Sequence, residues 1–234
     1  MLDLEKIKPN DLWYVIGLIT ADGNLSKDER HIDLTSKDRS LLVSVKKALL
    51  LKNKIGRKAR AKGKEKKYSV LQIGDKKFYN FLLNTGLTQR KSLTLGKLSI
   101  PDFYFPDFLR GVIDGDGNIH TWTHTTNGNR QWALRIFSGS REFIFWLKQE
   151  IESYFSTSGK IYISKRRNSK NPLYTIKFGK LATKIILDKV YYKNCLALSR
   201  KLKKVENCLK SEDKLRTYGV FKAVNYVPYA RVEK

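Results

Sequence analysis

One phrase is spelled twice in this chain, and it limits the possible folds more than any other feature. VIGLITADGNL runs from Val15 to Leu25 and LRGVIDGDGNI from Leu109 to Ile119. Each is an apolar run broken by glycine that closes on a small residue, an aspartate, a glycine and an asparagine. Gly17 and Ala21 are four residues apart, as are Gly111 and Gly115, so each pair shares one face of a helix. Small side chains at that spacing let two backbones approach closely. The two phrases therefore predict two helices paired at the centre of the molecule. Asp22 and Asp116 fall in the last turn of each helix, ahead of Gly23 and Gly117, which read as C′ glycines. A helix C-terminus is its negative end, so an anion there is misplaced by a few tenths to about 1 kcal/mol. If the helices pair in parallel, the two carboxylates also face each other. Stability does not select that arrangement, but a divalent cation offsets it, and hard oxygen donors suit Mg²⁺ completed by water and substrate phosphates. Carboxylates holding metal ions at a scissile phosphate are a recurrent device for in-line hydrolysis.

An EF-hand is the competing reading of DGDGN. Counting from Asp114, Ile119 stands where that loop needs glycine and Thr125 where it needs glutamate, which excludes it. Asp114 points away from Asp116 on a helix and is expected to be a structural or solvated acid rather than a ligand.

The elements around the phrases repeat too. After the first helix, capped by Asn10 or Asp11, come a hairpin (NLSKDERHIDLTS), a helix opening at Asp38, a second hairpin (KIGRKAR and YSVLQIG) and a short helix ending at Gly86. From Pro106 the order starts again: helix, hairpin (NIHTWTHT and RQWALRIFS), a helix capped by Ser140, hairpin (GKIYISKRR and PLYTIKFG), helix, and a final helix in CLALSRKLKKVENCL. Residues 1–95 form one half and 107–234 the other, with 96–106, which contains two prolines, as the linker. This period is far longer than that of solenoid repeats, so two fused half-domains are expected.

The charge narrows the partner. Lys and Arg number 47 against 22 Asp and Glu in 234 residues, a net charge of +25. Such an excess would repel itself in a compact fold, so it points to a polyanion, with nucleic acid first. No apolar run approaches the roughly 20 residues of a membrane span. The opening MLDLEKIKPN lacks the layout of a secretory signal. Cys195 and Cys208 are too few for a disulfide framework or a cysteine zinc site. An intracellular location with DNA is expected.

The two phrases resemble the signature of LAGLIDADG homing endonucleases in the form with two motifs per chain. KSLTL, the proline-containing linker and DFLRGVIDGDG resemble that family's connecting segment, and CLALSRK its C-terminal helix. The resemblance implies an α+β fold of two pseudo-symmetric αββαββα halves packed through the motif helices. Each half presents a saddle-shaped antiparallel sheet to the DNA major groove. It implies a monomer that binds double-stranded DNA and cuts both strands, leaving 3′ overhangs at a long asymmetric target. It also implies that Asp22 and Asp116, with the carbonyls of Ala21 and Gly115, hold Mg²⁺, for which Ca²⁺ or Mn²⁺ substitute. A basic residue near the scissile phosphates matches Lys91 in the first copy. In the second, the aligned position is Asn194, with Lys193 one place earlier, and the two strands are then expected to be cut at different rates. Ser36 and Ser138 stand at strand-to-helix junctions, where they either order water or form turns. The alternative is an RNA maturase that assists group I intron splicing and binds DNA or intron RNA without cleavage.

Period-two spacing nominates the side chains that face the DNA. In the first half they are Asn24, Ser26, Asp33, Thr35, Lys58, Arg60, Val70 and Gln72, with Leu71 and Ile73 buried. In the second they are Asn118, His120, Trp122, His124, Arg135, Ser164, Arg166, Thr175 and Lys177. Arginine on guanine and glutamine on adenine are the natural contacts. His120 and His124 are about 13 Å apart in a strand, too far for a shared metal. Trp122 and Trp132 read as a cross-strand aromatic pair or core residues that could also stack on DNA.

Overall fold

The computed structural model describes residues 2–59, 67–126, 128–165 and 171–211. Arg60 and Arg166 lie outside the described residues. Each half runs helix, hairpin, helix, hairpin, helix. The first has α1 (Pro9–Asp22), β1 (Gly23–Leu25), β2 (His31–Ser36), α2 (Arg39–Ala48), β3 (Gly56–Lys58), β4 (Tyr68–Gly74) and α3 (Lys76–Asn84). The second has α4 (Phe105–Asp116), β5 (Gly117–Thr123), β6 (Arg130–Ser138), α5 (Arg141–Phe155), β7 (Gly159–Ser164), β8 (Leu173–Phe178) and α6 (Lys180–Val190), followed by α7 (Ser199–Leu209). The strands form two four-stranded antiparallel sheets of the same order, β1-β2-β4-β3 and β5-β6-β8-β7. The fold is α+β in two pseudo-symmetric halves. Among the described residues no helix is long and apolar enough to cross a membrane.

α1 is buried on every side from Leu12 to Thr20, as expected of a helix without a polar face. It packs against α4 along the small-residue seam. A Cβ built on Gly17 would stand 2.0 Å from the Phe108 carbonyl oxygen, and one on Gly111 would stand 2.1 Å from that of Tyr14. One turn on, a Cβ on Gly115 would lie 2.3 Å from that of Ala21. Contacts advance in the same direction along both chains, so the helices are parallel and their C-termini lie side by side.

Neither motif glycine has the left-handed backbone of a C′ glycine. Gly23 (φ −80°, ψ 153°) and Gly117 (φ −85°, ψ 157°) are extended and begin the next strand at once. They are glycines for space, because a Cβ on Gly23 would meet the Ile19 backbone at 2.7 Å and one on Gly117 the Ile113 carbonyl oxygen at 2.5 Å. α1 starts at Pro9, with Lys8 at the N-cap. Asn10 caps nothing and instead donates to Asp107 across the halves at 2.7 Å. Asp38 stands at the N-cap of α2 without a capping bond, whereas Ser140 accepts from the Phe143 amide. α4 opens at Phe105, inside the expected linker, with Pro106 in its first turn.

Each sheet buries one face. Leu25, Ile32, Leu34, Leu71 and Ile73 are inside in the first half. Ile119, Trp132, Leu134, Ile136, Ile176 and Phe178 are inside in the second.

Candidate active site

Asp22 and Asp116 end the two paired helices, and both are exposed. An Asp22 carboxylate oxygen lies 3.5 Å from the Cβ position of Gly115, the residue before Asp116. The parallel seam thus brings both acids to one end of the helix pair. A cavity of about 370 Å³ opens beside Asp116, lined also by Thr20, Ala21, Lys91, Leu93 and Ser138 among others.

Two lysines serve the ends of these helices. The Lys91 ammonium is buried and donates to the Gly23 carbonyl at 2.5 Å. The Lys201 ammonium, from α7, donates to the carbonyls of Ile113 (2.5 Å) and Asp114 (2.7 Å), and more distantly to that of Gly115 (3.4 Å). Lys201 thereby satisfies the Asp114 carbonyl at the helix end and adds to the Gly117 amide already on that of Ile113, and the charge of both lysines suits the negative pole. Burial lowers the pKa of Lys91, opposed by the charges of Asp116 and Asp22. Burial also lowers that of Lys201, to about 8, again opposed by Asp114, Asp22 and Asp116. The four groups form one electrostatic cluster, with a carboxylate and a lysine from each half.

The second-half lysine at the helix end is Lys201, whereas Lys193 was the one expected near the phosphates. Lys193 is exposed on the loop before α7, as is Asn194. Lys201 is brought back because Asp114 anchors the start of α7. Its carboxylate accepts from the Leu198 amide (2.7 Å), the Tyr191 hydroxyl (2.7 Å) and the Tyr14 hydroxyl (2.8 Å). Burial raises the pKa of Asp114 despite these donors, and it is a structural acid, not a solvated one. The sequence carried a signal for Lys201. It shares the buried face of α7 with Val205 and Cys208, so it is a lysine on an apolar stripe.

Asp107 and Arg110 were not foreseen either. Arg110 is fully buried, pairs with Asp107 at 2.7 Å, and donates to the carbonyls of Leu196 and Val190. Tyr192 also donates to Asp107, at 2.8 Å. This network and Asp114 fasten the α6–α7 connection to α4.

Ser36 and Ser138 do turn work: their hydroxyls accept from the amides of Asp38 (3.1 Å) and Ser140 (3.0 Å).

The strand registers put the nominated residues on common faces. Asn24 pairs with Asp33, Asp33 with Gln72, Thr35 with Val70, and Lys58 with Tyr68. Gln72 donates to Asp33 at 3.0 Å. Ser26 follows β1 and is half-buried. In the second sheet Asn118 pairs with Arg135, Arg135 with Lys177, and Thr175 with Tyr162, while Ser164 is two residues on from Tyr162. Trp122 pairs with Gln131 rather than Trp132, which is buried opposite Thr121, so no cross-strand tryptophan pair forms. His124 lies beyond the end of β5 and is exposed. Among the described residues no three His, Cys, Asp or Glu side chains gather as a metal-holding group. Any cation between the two aspartates would have to be completed by backbone carbonyls, water and phosphate.

The family described as LAGLIDADG-like domain matches residues 9–86. No curated protein sequence matches the chain. Among solved structures, the homing endonuclease I-WcaI bound to its DNA recognition sequence is 14% identical, with a TM-score of 0.60 over 85% of this chain and 87% of that one. The LAGLIDADG homing endonuclease I-GzeII in complex with its DNA target is 16% identical, with a TM-score of 0.53 over 87% and 89%. Full-length WhiA from Thermatoga maritima is 17% identical, with a TM-score of 0.51 over 86% of this chain, which spans only 59% of WhiA. By sequence, residues 9–86 are thus similar to the LAGLIDADG-like domain family, and the chain as a whole shares the two-half fold of the LAGLIDADG structures.

Proposed function

We propose that this protein is a site-specific double-strand DNA endonuclease. It hydrolyses phosphodiester bonds with divalent cations and leaves 3′ overhangs at a long, asymmetric target. The observation that carries this reading is the meeting of Asp22 and Asp116 at one end of a parallel helix pair, an arrangement that costs stability unless positive charge shares the space. The donors there are all oxygen, which fits Mg²⁺, with Ca²⁺ or Mn²⁺ as substitutes. Asp22 and Asp116 would hold the cation with the carbonyls of Ala21 and Gly115. When bound, the cation lowers the pKa of a water and neutralises charge on the phosphate.

The chain's own residues do the rest. Lys91 and Lys201 bring positive charge to the scissile phosphates, and Lys201 takes the role that the linear alignment gave Lys193. The exposed sheet faces bind the DNA: Asn24, Asp33, Thr35, Val70, Gln72 and Lys58 from the first half, and Asn118, His120, Trp122, Arg135, Ser164, Thr175 and Lys177 from the second. Two unlike halves suit an unlike pair of half-sites, and one chain carries both, so the protein acts as a monomer inside the cell and moves the genetic element that encodes it.

A second reading, DNA or intron-RNA binding without cleavage, has one observation in its favour. Lys201 already donates to the Gly115 carbonyl that a cation would use. The test is incubation with the intron-less insertion site of its own gene and Mg²⁺. Staggered double-strand cuts with 3′ overhangs support the endonuclease. Intact DNA beside tight binding of the intron RNA supports the binder.

A further inference from the structure

The two DNA-facing sheets differ in chemistry. In the first, Gln72 is already paired with Asp33 and His31 with Asp28, beside apolar Val70 and one phenol ring, Tyr68, which lies under the Lys37 ammonium. In the second, the outward face carries a row of rings. The His120 and Trp122 rings stack at 5.4 Å and 25°. The Lys177 ammonium lies 5.7 Å from the Trp122 ring and 6.0 Å from that of Tyr162. Ala133, between these strands, pairs with His120 and is fully buried although it is on the outward side, so its neighbours close over it. The rings remain open to solvent, with Trp122 38% and Tyr162 49% exposed. Trp122 makes no core contribution that would explain its place. The β5–β6 hairpin that carries it is also longer than β1–β2, with strands of 7 and 9 residues against 3 and 6.

We infer that Trp122, flanked by His120, Lys177 and Tyr162, is a specificity element that reads the 5-methyl groups of thymine in the second half-site. The inference rests on the DNA-binding part of the proposed function. In the major groove, thymine alone offers a methyl group, and apolar side chains recognise it by contact. A ring stacked on His120 and within reach of the Lys177 ammonium presents its remaining apolar surface outward with little rotamer freedom to lose. Position follows from the strand. Trp122 is six residues beyond Asp116, roughly 20 Å at the rise of an extended chain. That corresponds to about four to six base pairs from the cleavage site, allowing for the tilt of the strand across the groove.

The experiment is a selection of randomised DNA duplexes by the full chain in Ca²⁺, repeated with Trp122→Ala and Trp122→Phe. The wild type should prefer thymine at one or two adjacent positions of a single half-site. W122A should lose that preference and keep those of the other half-site, with the same salt dependence, while W122F should keep part of it. The best wild-type duplex is then remade with deoxyuridine at those positions, which removes only the methyl group. Each replacement should weaken wild-type binding about fourfold, the effect of uncovering one methyl-sized apolar group, and leave W122A unchanged. Unaltered thymine preference in W122A, or indifference of the wild type to deoxyuridine, overturns this inference alone, since DNA is still bound. Failure to select any duplex overturns the DNA-binding reading and this inference with it.

Discussion

Gly111→Ala is the sharpest perturbation the seam allows. The new Cβ would stand 2.1 Å from the Tyr14 carbonyl oxygen, 2.7 Å from the Leu18 amide nitrogen and 2.9 Å from the Gly17 carbonyl carbon. All three are backbone atoms, so no rotamer change relieves the overlap. α1 and α4 must part by about 1 Å to restore ordinary contact. Overpacking of this kind costs about 1–3 kcal/mol, and separating a seam also loosens the packing along it. Alanine returns about 1 kcal/mol as the better helix former. The net is a loss of up to about 2 kcal/mol, or up to about 8 °C in Tm for a chain of this size, to which the loosened packing adds. Catalysis should suffer more than stability, because Asp22 and Asp116 ride on the helices that part, and a misplacement of about 1 Å can cost about a hundredfold in rate. Urea unfolding and a plasmid-cutting assay read the two effects. Gly179→Ala, where a Cβ meets nothing within 4 Å, is the control and should change neither by much. The double variant G17A/G111A should cost less than the two singles together, since one gap accommodates both methyls. A G111A protein with wild-type stability and wild-type cutting would refute the close helix pair.

Three further outcomes follow from the site. Lys201 has a folded pKa of about 8 against about 10.5 unfolded, so between these values the unfolded chain binds the proton that the folded chain lacks, and stability should rise with pH. Relative to Lys201→Met, the wild type should gain about 2 kcal/mol between pH 7.5 and 9.5 in paired denaturation curves; parallel curves would mean that the ammonium is not buried. Tyr191→Phe removes one donor from buried Asp114 and should cost about 1–3 kcal/mol; it should also lower cutting through the displaced α7 and Lys201, an effect absent if the network only adds stability. DNA affinity should fall by about 10³ or more between 50 and 200 mM salt, measured by fluorescence anisotropy, whereas a flat response would deny the basic excess its phosphate-binding role.

Much of this architecture was legible in the chain. The duplicated phrase foretold the helix pair because glycine at four-residue spacing has few other uses in an apolar helix, and Gly17 and Gly111 each face the other helix's backbone. Alternation foretold the sheet faces, since a register slip would have buried Gln72 and exposed Leu71. What escaped depended on contacts distant in sequence. Asn10 looked like a cap, but its partner is Asp107, 97 residues away. Gly23 and Gly117 looked like left-handed stops, yet helix and strand join there without a turn, and the glycines serve close approach. Lys201 at the helix end was not foreseen, because counting along the chain cannot see that Asp114 anchors α7 and so folds Lys201 back. Of the two readings of Trp122 and Trp132, core burial holds for Trp132, while the pair fails because the register puts the two on opposite faces.

If the two aspartates act together at the helix ends, loss of either charge disables cutting. The most direct measurement is strand-resolved cleavage of an end-labelled, tightly bound duplex in Mg²⁺ by wild type, Asp22→Asn and Asp116→Asn, with binding checked in Ca²⁺. Each variant should still bind, and each should lose double-strand cutting by a factor of at least about 10². Undiminished cutting of both strands by either variant would contradict that joint action.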